Sequence, residues 1–250
     1  MSAPVLQTHD LVKRFGGIVA TQDVSLRVMP GARHALIGPN GAGKTTMVNL
    51  LTGVLTPTSG RIELEGHDIT RLAAHQRAGR GLVRTFQINQ LFGSLSPLET
   101  LTLVISQRDG VGARWWRALD RDSARRDEAA DLLRRLHLAD VMTQETAVLA
   151  YGKRRLLEIA IALAGKPRVL LLDEPMAGVP NSESREILDT LAALPAEVTV
   201  LLIEHDMDLV FRFATRMSVL VNGALFAEGD PDAIARDPRV KNVYLGQGHD

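Results

Sequence analysis

Two clusters in this 250-residue chain have residue types and spacing suited to handling a chain of phosphates. The first is Gly38-Pro39-Asn40-Gly41-Ala42-Gly43-Lys44-Thr45, followed by Thr46. Its glycines let the backbone turn N–H groups inward around phosphate oxygens. A helix starting at Lys44 adds the partial positive charge of its N-terminus. Lys44 can reach the terminal phosphates, and the Thr45 hydroxyl can ligate Mg²⁺. A merely flexible glycine turn would account for the glycines but not for the strand before them or the Lys, Thr and helix after them. The second cluster is Asp173-Glu174, at the end of an apolar run. Asp173 is suited to hold the metal, directly or through water, and Glu174 to orient and deprotonate an attacking water. Seen alone, a strand-end Asp-Glu pair is commonplace; downstream of a phosphate loop it is not.

These side chains need a frame that brings distant segments to one place. Residues 33–38 read as a strand running into the glycine-rich turn, and 44–55 as a helix ended near Gly53 and Pro57. A turn at 57–60 and a half-buried strand at 61–64 follow. The runs 169–172 and 198–203 are continuously apolar, as strands covered on both faces are. The pattern predicts an α/β fold with a mainly parallel sheet and helices on both faces. From 98 to 165 the pattern is helical throughout, with Leu132, Leu133, Leu136 and Leu138 forming an apolar stripe, and we read this stretch as a helical lobe inserted into the core. Leu149-Ala150-Tyr151-Gly152-Lys153 precedes a helix over 156–163 that ends at Gly165 and Pro167. Lys153, Arg154 and Arg155 in its first turn oppose the helix dipole. Either a bound anion offsets them or they point into water, and charge alone favours water. Asp230 can cap a C-terminal helix with Pro231 in its first position.

Composition bounds the partners. Hydrophobic residues make up 45%, enough for a substantial core, while Lys+Arg and Asp+Glu are both 29, so the net charge is zero. A balanced chain has no global electrostatic hold on nucleic acid or anionic lipid. The absence of cysteine excludes disulfides, thiolate metal sites and a cysteine nucleophile. Residues 1–10 lack the basic and apolar regions of a signal peptide. The apolar runs are far shorter than the ~18 residues of a membrane span. We therefore expect a soluble, cytoplasmic chain that serves a membrane only from its surface. His34, His67, His75 and His137 are isolated, with no spacing for a structural metal.

Further motifs fall in a recognisable order. Leu149-Ala150-Tyr151-Gly152, Gln87 in Arg84-Thr85-Phe86-Gln87, His205 in Ile203-Glu204-His205-Asp206, and Phe15 accompany the two clusters. Alone, Gln87 would be a surface amide, Phe15 a core aromatic and His205 a structural or solvated histidine. Together, and over essentially the whole chain, the motifs resemble those of ABC ATPases. The resemblance implies a P-loop NTPase core with an N-terminal antiparallel β part and an inserted helical subdomain. It makes 1–250 a single ATP-binding domain, with the core over about 1–92 and 166–250 and the helical subdomain over about 93–165. It implies ATP and Mg²⁺ as cofactors. Two ATPases would close face to face, each ATP lying between the loop from Gly38 to Thr46 of one and the signature residues Leu149, Ala150, Tyr151 and Gly152 of the other. Phe15 would stack on adenine. Thr45, Gln87 and Asp173 would hold the metal. Glu174, His205, Lys44 and Gln87 would serve catalysis, with Gln87 also sensing a permease and His205 touching the γ-phosphate.

A narrower resemblance is carried by Leu149-Ala150-Tyr151-Gly152, by Arg84 to Gln87, by the phrase from Leu202 to Val210 and by Tyr244-Leu245-Gly246. These resemble ATP-binding subunits of branched-chain amino acid importers, whose relatives also serve urea and short amides. The resemblance implies transmembrane permease subunits, a second ATPase subunit and, indirectly, a periplasmic solute-binding protein as partners, at the inner face of the cell membrane. Three alternatives are an exporter ATPase for lipid or lipopolysaccharide, a soluble ABC ATPase acting on DNA or ribosomes, and a non-hydrolysing regulator. The subfamily phrases speak against the first. The missing coiled coils, zinc hooks and second cassette, with zero net charge, speak against the second. Glu174 and His205 speak against the third. Trp115-Trp116 reads as packing within the helical lobe, or else as a permease- or membrane-facing contact.

Two positions depart from the general family pattern. Ala150-Tyr151 stands where Ser-Gly is usual, which removes a hydroxyl donor to phosphate worth about 1.5–3 kcal/mol. Pro180 stands where Asp is usual and offers neither carboxylate nor N–H. The importer subgroup resembled here often carries the Ala-Tyr pair, with Gly152 and the helix N-terminus left to meet phosphate; the Pro180 departure predicts a heterodimer with a second ATPase subunit and two unequal composite sites. Single-turnover hydrolysis by the assembled ATPase pair should show two unequal phases; equal turnover at both sites of a purified homodimer would count against it.

Overall fold

The computed structural model describes residues 3–85, 91–111 and 123–245. The chain forms two compact units, one of Met1–Arg84, Arg168–Glu174 and Pro195–Asp250, the other of Thr85–Pro167 and Pro175–Leu194. Among the described residues, no helix is long and apolar enough to cross a membrane.

The first unit holds two sheets. One is antiparallel, with β1 (Leu6–Phe15) between β2 (Ile18–Val24) and β5 (Ser59–Leu64), β6 (His67–Asp68) outside β5, and β3 (Arg27–Val28) pairing with β1. The other has the order β11-β10-β4-β9-β8-β7. In it β7 (Leu82–Arg84), β8 (Val169–Asp173), β9 (Thr199–Ile203), β4 (Arg33–Ile37) and β10 (Arg216–Val221) run parallel, and β11 (Ala224–Gly229) closes the edge antiparallel to β10. The expected mainly parallel sheet and antiparallel N-terminal part are both present. Every residue of β8 and β9 is buried, which is why their sequences are unbroken apolar runs rather than alternating ones.

Helix α1 (Lys44–Thr52) follows β4 and buries Met47, Val48, Leu50 and Leu51. It stops three residues short of the expected end, at Gly53 in the left-handed conformation. The reason lies in α2 (Ala74–Gly79). Arg77, 1% exposed, donates from Nη1 to Leu50 O and Leu51 O, from Nε to Leu72 O and from Nη2 to Thr70 O. A guanidinium thus takes the last carbonyls of α1, where the helix dipole favours positive charge. Further along, α7 (Met207–Phe213) follows β9, and α8 (Pro231–Arg236) begins as expected: Pro231 is its first residue and Asp230 Oδ1 accepts from Ala233 N at 2.8 Å. The last described element is α9 (Pro238–Leu245).

The second unit is helical among its described residues: α3 (Pro97–Arg108), α4 (Ser123–Arg135), a 3₁₀ turn (Thr146–Val148), α5 (Tyr151–Ala164) and α6 (Asn181–Ala192). Ser96 and Glu99 form a reciprocal cap on α3. The leucine stripe runs past the end of its helix. Leu133 lies on α4, but Leu136 and Leu138 follow it, buried on either side of His137, which has φ +57°. Trp115 and Trp116 lie outside the described residues.

His34 is fully buried on β4, the strand that leads into the glycine-rich loop, with Nε2 2.8 Å from Ser218 Oγ. Burial, helped by Arg216 and opposed by Glu228, lowers its pKa from 6.5 to about 4. The unfolded chain therefore binds a proton on this residue at a pH where the fold does not. Its contribution to stability is complete above pH 6.5 and is lost as pH falls to about 4, a change of up to about 3 kcal/mol. Urea unfolding across that window should show this loss in the native chain and not in His34→Gln.

Candidate functional site

Four adjacent strands deliver the candidate residues of the first unit to one edge of the parallel sheet. β4 ends in the glycine-rich loop, β9 in Glu204-His205, β8 in Asp173-Glu174, and β7 in Arg84. Register brings the ends level, since Leu36 pairs with Ile203, Ile203 with Asp173, and Leu171 with Arg84. This is the carboxyl edge at which open parallel sheets bind ligands.

The loop is held by close backbone approach. A Cβ on Gly38 would lie 2.2 Å from Leu220 O, and one on Gly43, at φ +100°, would lie 2.4 Å from Ala20 O. Ala42, 2% exposed, accepts at its carbonyl from Gly223 N. The tight packing of Gly38, Ala42 and Gly43 leaves Asn40 and Gly41 exposed at the tip, and Pro39 half-buried. Lys44 Nζ donates to Gly38 O at 2.6 Å and Pro39 O at 2.9 Å. Burial lowers its pKa, opposed by the charges of Glu174 and Asp173. Thr45 is exposed and Thr46 half-buried in the first turn of α1.

The two carboxylates differ. Asp173 is 3% exposed and accepts from Arg84 Nη2 at 2.5 Å. Glu174, just beyond the strand, has φ +46° and donates its N–H to Ile203 O. A left-handed glutamate is strained, and the conformation swings its side chain away from the strand's alternation. Its Oε1 lies 3.8 Å from His205 Nδ1, beyond hydrogen-bond length. The exposed His205 stands over Glu204, which is 1% exposed and accepts from the N–H groups of His205 and Asp206. Phe15, expected as an adenine platform, is 46% exposed at the tip of the β1–β2 hairpin, with Lys13 Nζ 5.1 Å from its ring centre. Gln87 lies outside the described residues.

The signature residues belong to the second unit. Helix α5 starts at Tyr151, five residues earlier than the apolar pattern indicated, and Ala150 at its cap makes no side-chain hydrogen bond. Leu149 is buried and Ala150 exposed. Gly152 N donates to Glu183 Oε2 at 2.5 Å, and Tyr151 Oη donates to Ala177 O at 3.0 Å. The expectation that the basic residues here point into water is corrected. Lys153 bonds His137 O and Glu186, and Arg155 is 5% exposed, bonded to Pro175 O and paired with Glu158 at 2.7 Å. Acceptors brought in by tertiary packing offset the unfavourable dipole. Sequence reasoning passed over Arg84, Asn49, Glu183 and Glu204. Arg84 and Glu204 sat inside quoted motifs, but no spacing rule singles them out.

Among the described residues, no group of three or more His, Cys, Asp or Glu could hold a metal. One carboxylate and one hydroxyl nevertheless suit Mg²⁺, which takes few protein ligands and completes its shell with phosphates and water. Asp173 and the exposed hydroxyl residue Thr45, on β8 and α1, fit that donor set.

Loop, carboxylate pair and sheet order define a P-loop nucleotide-binding ATPase. A family model for ABC transporters matches residues 21–177, and one for branched-chain amino acid ATP-binding cassette transporters matches residues 224–250. The chain is 40% identical over 256 residues to the high-affinity branched-chain amino acid transport ATP-binding protein BraF of Pseudomonas aeruginosa, covering 99% of this chain and 100% of the relative. It is 40% identical to LivG of Escherichia coli, a protein of the same description, at the same coverage. A crystal structure of the ADP conformation of an ATP-binding cassette of an ABC transporter superposes with TM-score 0.84 at 31% identity, over 98% of this chain and 100% of that one. The chain belongs to the ABC transporter ATP-binding cassettes, ATPases whose nucleotide is ATP.

The Glu183 carboxylate is the partner of an N–H group that α5 cannot satisfy internally. Glu183→Ala should speed hydrogen exchange in the peptide 149–156 and lower stability by about 1 kcal/mol; unchanged protection would mean the amide is held by another group.

Proposed function

We propose that this chain is the ATP-hydrolysing subunit of a multisubunit importer for branched-chain amino acids or a related small polar solute. The observation that favours this class over an exporter is the match of residues 224–250 to the branched-chain amino acid cassette model, beside 40% identity along whole relatives. In this reading the chain sits at the inner face of the cell membrane against transmembrane permease subunits. It pairs with a second ATPase subunit and serves, indirectly, a periplasmic solute-binding protein.

The residues then divide the work as follows. Phe15 stacks on adenine. The backbone from Gly38 to Thr46 surrounds the phosphates, and Lys44 turns from the carbonyls of Gly38 and Pro39 to the terminal phosphate oxygens. Mg²⁺, when bound, neutralises developing phosphate charge. Thr45, Gln87 and Asp173 hold it. Glu174 takes the proton of the attacking water. His205, with its backbone fixed by Glu204, stabilises the γ-phosphate. Leu149, Ala150, Tyr151 and Gly152 meet the nucleotide of the partner subunit. Closure of the pair around ATP drives the permease.

Glu174→Gln should keep ATP affinity within about 3-fold and lower hydrolysis at least about 100-fold; equal rates would remove Glu174 as the base. The tagged variant, recovered with ATP from detergent-solubilised membranes, should carry amino-acid-type permeases and a second ATPase subunit. Lipid-transport partners would replace the importer reading with the exporter one.

A further inference from the structure

Arg84 ends the edge strand β7 and makes two contacts that the reading above does not use. Nη2 donates to Asp173 Oδ2 at 2.5 Å and Nη1 donates to Asn49 Oδ1 at 3.0 Å. The first partner ends β8 and the second lies on α1, the helix that begins at Lys44. The Arg84 side chain is only 17% exposed, and its Nε is buried without a hydrogen-bond partner among the described residues.

A carboxylate as buried as Asp173 needs a compensating charge and fixed hydrogen bonds. Lys44 sits nearby, but its ammonium is engaged by Gly38 O and Pro39 O. Among the described residues, Arg84 is the cation in direct contact with Asp173. Its planar fork reads two oxygens at once, so Asn49 fixes the guanidinium plane and the guanidinium fixes the carboxylate. Strand pairing already sets the position of β7, since Arg84 lies opposite Leu171. The side-chain bridge adds an orientation for Asp173 that the ladder does not supply. We propose that Arg84 is a positioning residue for the metal-side carboxylate: with Asn49 it holds Asp173 in one orientation, by its Oδ2 oxygen, so that Mg²⁺ brought in with ATP meets a preset ligand. The cost of leaving a ligating carboxylate unsupported is about 10–100-fold in metal affinity. The inference rests on the reading of Asp173 as the Mg²⁺ residue.

The test measures affinity of the purified chain for a fluorescent ATP analogue in Mg²⁺ and in EDTA. Mn²⁺ uptake by the nucleotide complex, followed by electron paramagnetic resonance, gives a second readout. In the native chain Mg²⁺ should tighten binding. Arg84→Met should lower that metal-dependent gain, and Mn²⁺ affinity, by about 10-fold or more while leaving affinity in EDTA within about 2-fold. Asn49→Ala, which keeps the ion pair but frees the guanidinium, should act in the same direction by about 3-fold. A residue that only ties β7 to β8 would alter stability and affinity in EDTA without touching the ratio. A full metal-dependent gain in Arg84→Met overturns the proposal. If that variant does not fold, an unchanged ratio in Asn49→Ala overturns it. If the native chain itself shows no gain from Mg²⁺, or Asp173→Asn keeps it, the reading of Asp173 fails first, and that outcome is distinct.

Discussion

Parallel pairing of β4, β9, β8 and β7 is the constraint on which the candidate site depends. Each strand is short, and β4, β8 and β9 are nearly or fully buried, so the sheet gains little from any one of them and much from their stacking. Parallel register puts every strand's C-terminus on the same side. The loop that follows β4 and the charged residues that end β7, β8 and β9 therefore converge, although they are separated by well over a hundred positions in sequence. A one-residue slip of β8 against β9 would turn Asp173 to the opposite face.

The buried charges form a second layer of constraint. Arg77 ties two carbonyls at the C-terminal end of α1 to those of Thr70 and Leu72, Arg84 joins Asp173 to Asn49, and Arg155 binds Pro175 O and Glu158. In each case a planar guanidinium meets several fixed oxygens, the arrangement that best offsets its removal from water. The α1 helix is held at both ends by basic side chains bonded to backbone carbonyls. Lys44 anchors to the loop at its start, and Arg77 anchors its end.

The two departures from the general cassette pattern have local roles in the second unit. Tyr151 donates to Ala177 O, a bond that a glycine could not make. Pro180 starts α6 with its carbonyl accepting from Glu183 N and Ser184 N, as an extended residue before a helix can. Glu183, placed by that helix, reaches Gly152 N. Signature and post-carboxylate loop are therefore joined by polar contacts specific to these residues.

The α/β class, the glycine-rich loop between strand and helix, the Asp173-Glu174 pair after an apolar strand and the cap at Asp230 were legible in the sequence alone, because each is written in local periodicity or in residue types within a few positions. The family order of its motifs, from Phe15 to His205, was legible for the same reason. Only the tertiary structure decided that Arg84 meets Asp173, that Arg77 ends α1, that Glu183 reaches Gly152 and that Lys153 and Arg155 have acceptors rather than water. It also decided that α5 begins at Tyr151. These outcomes turn on pairs distant in sequence or on helix starts fixed by neighbours. A charged side chain reads the same in sequence whether it faces solvent or a buried oxygen, and packing alone chooses between them.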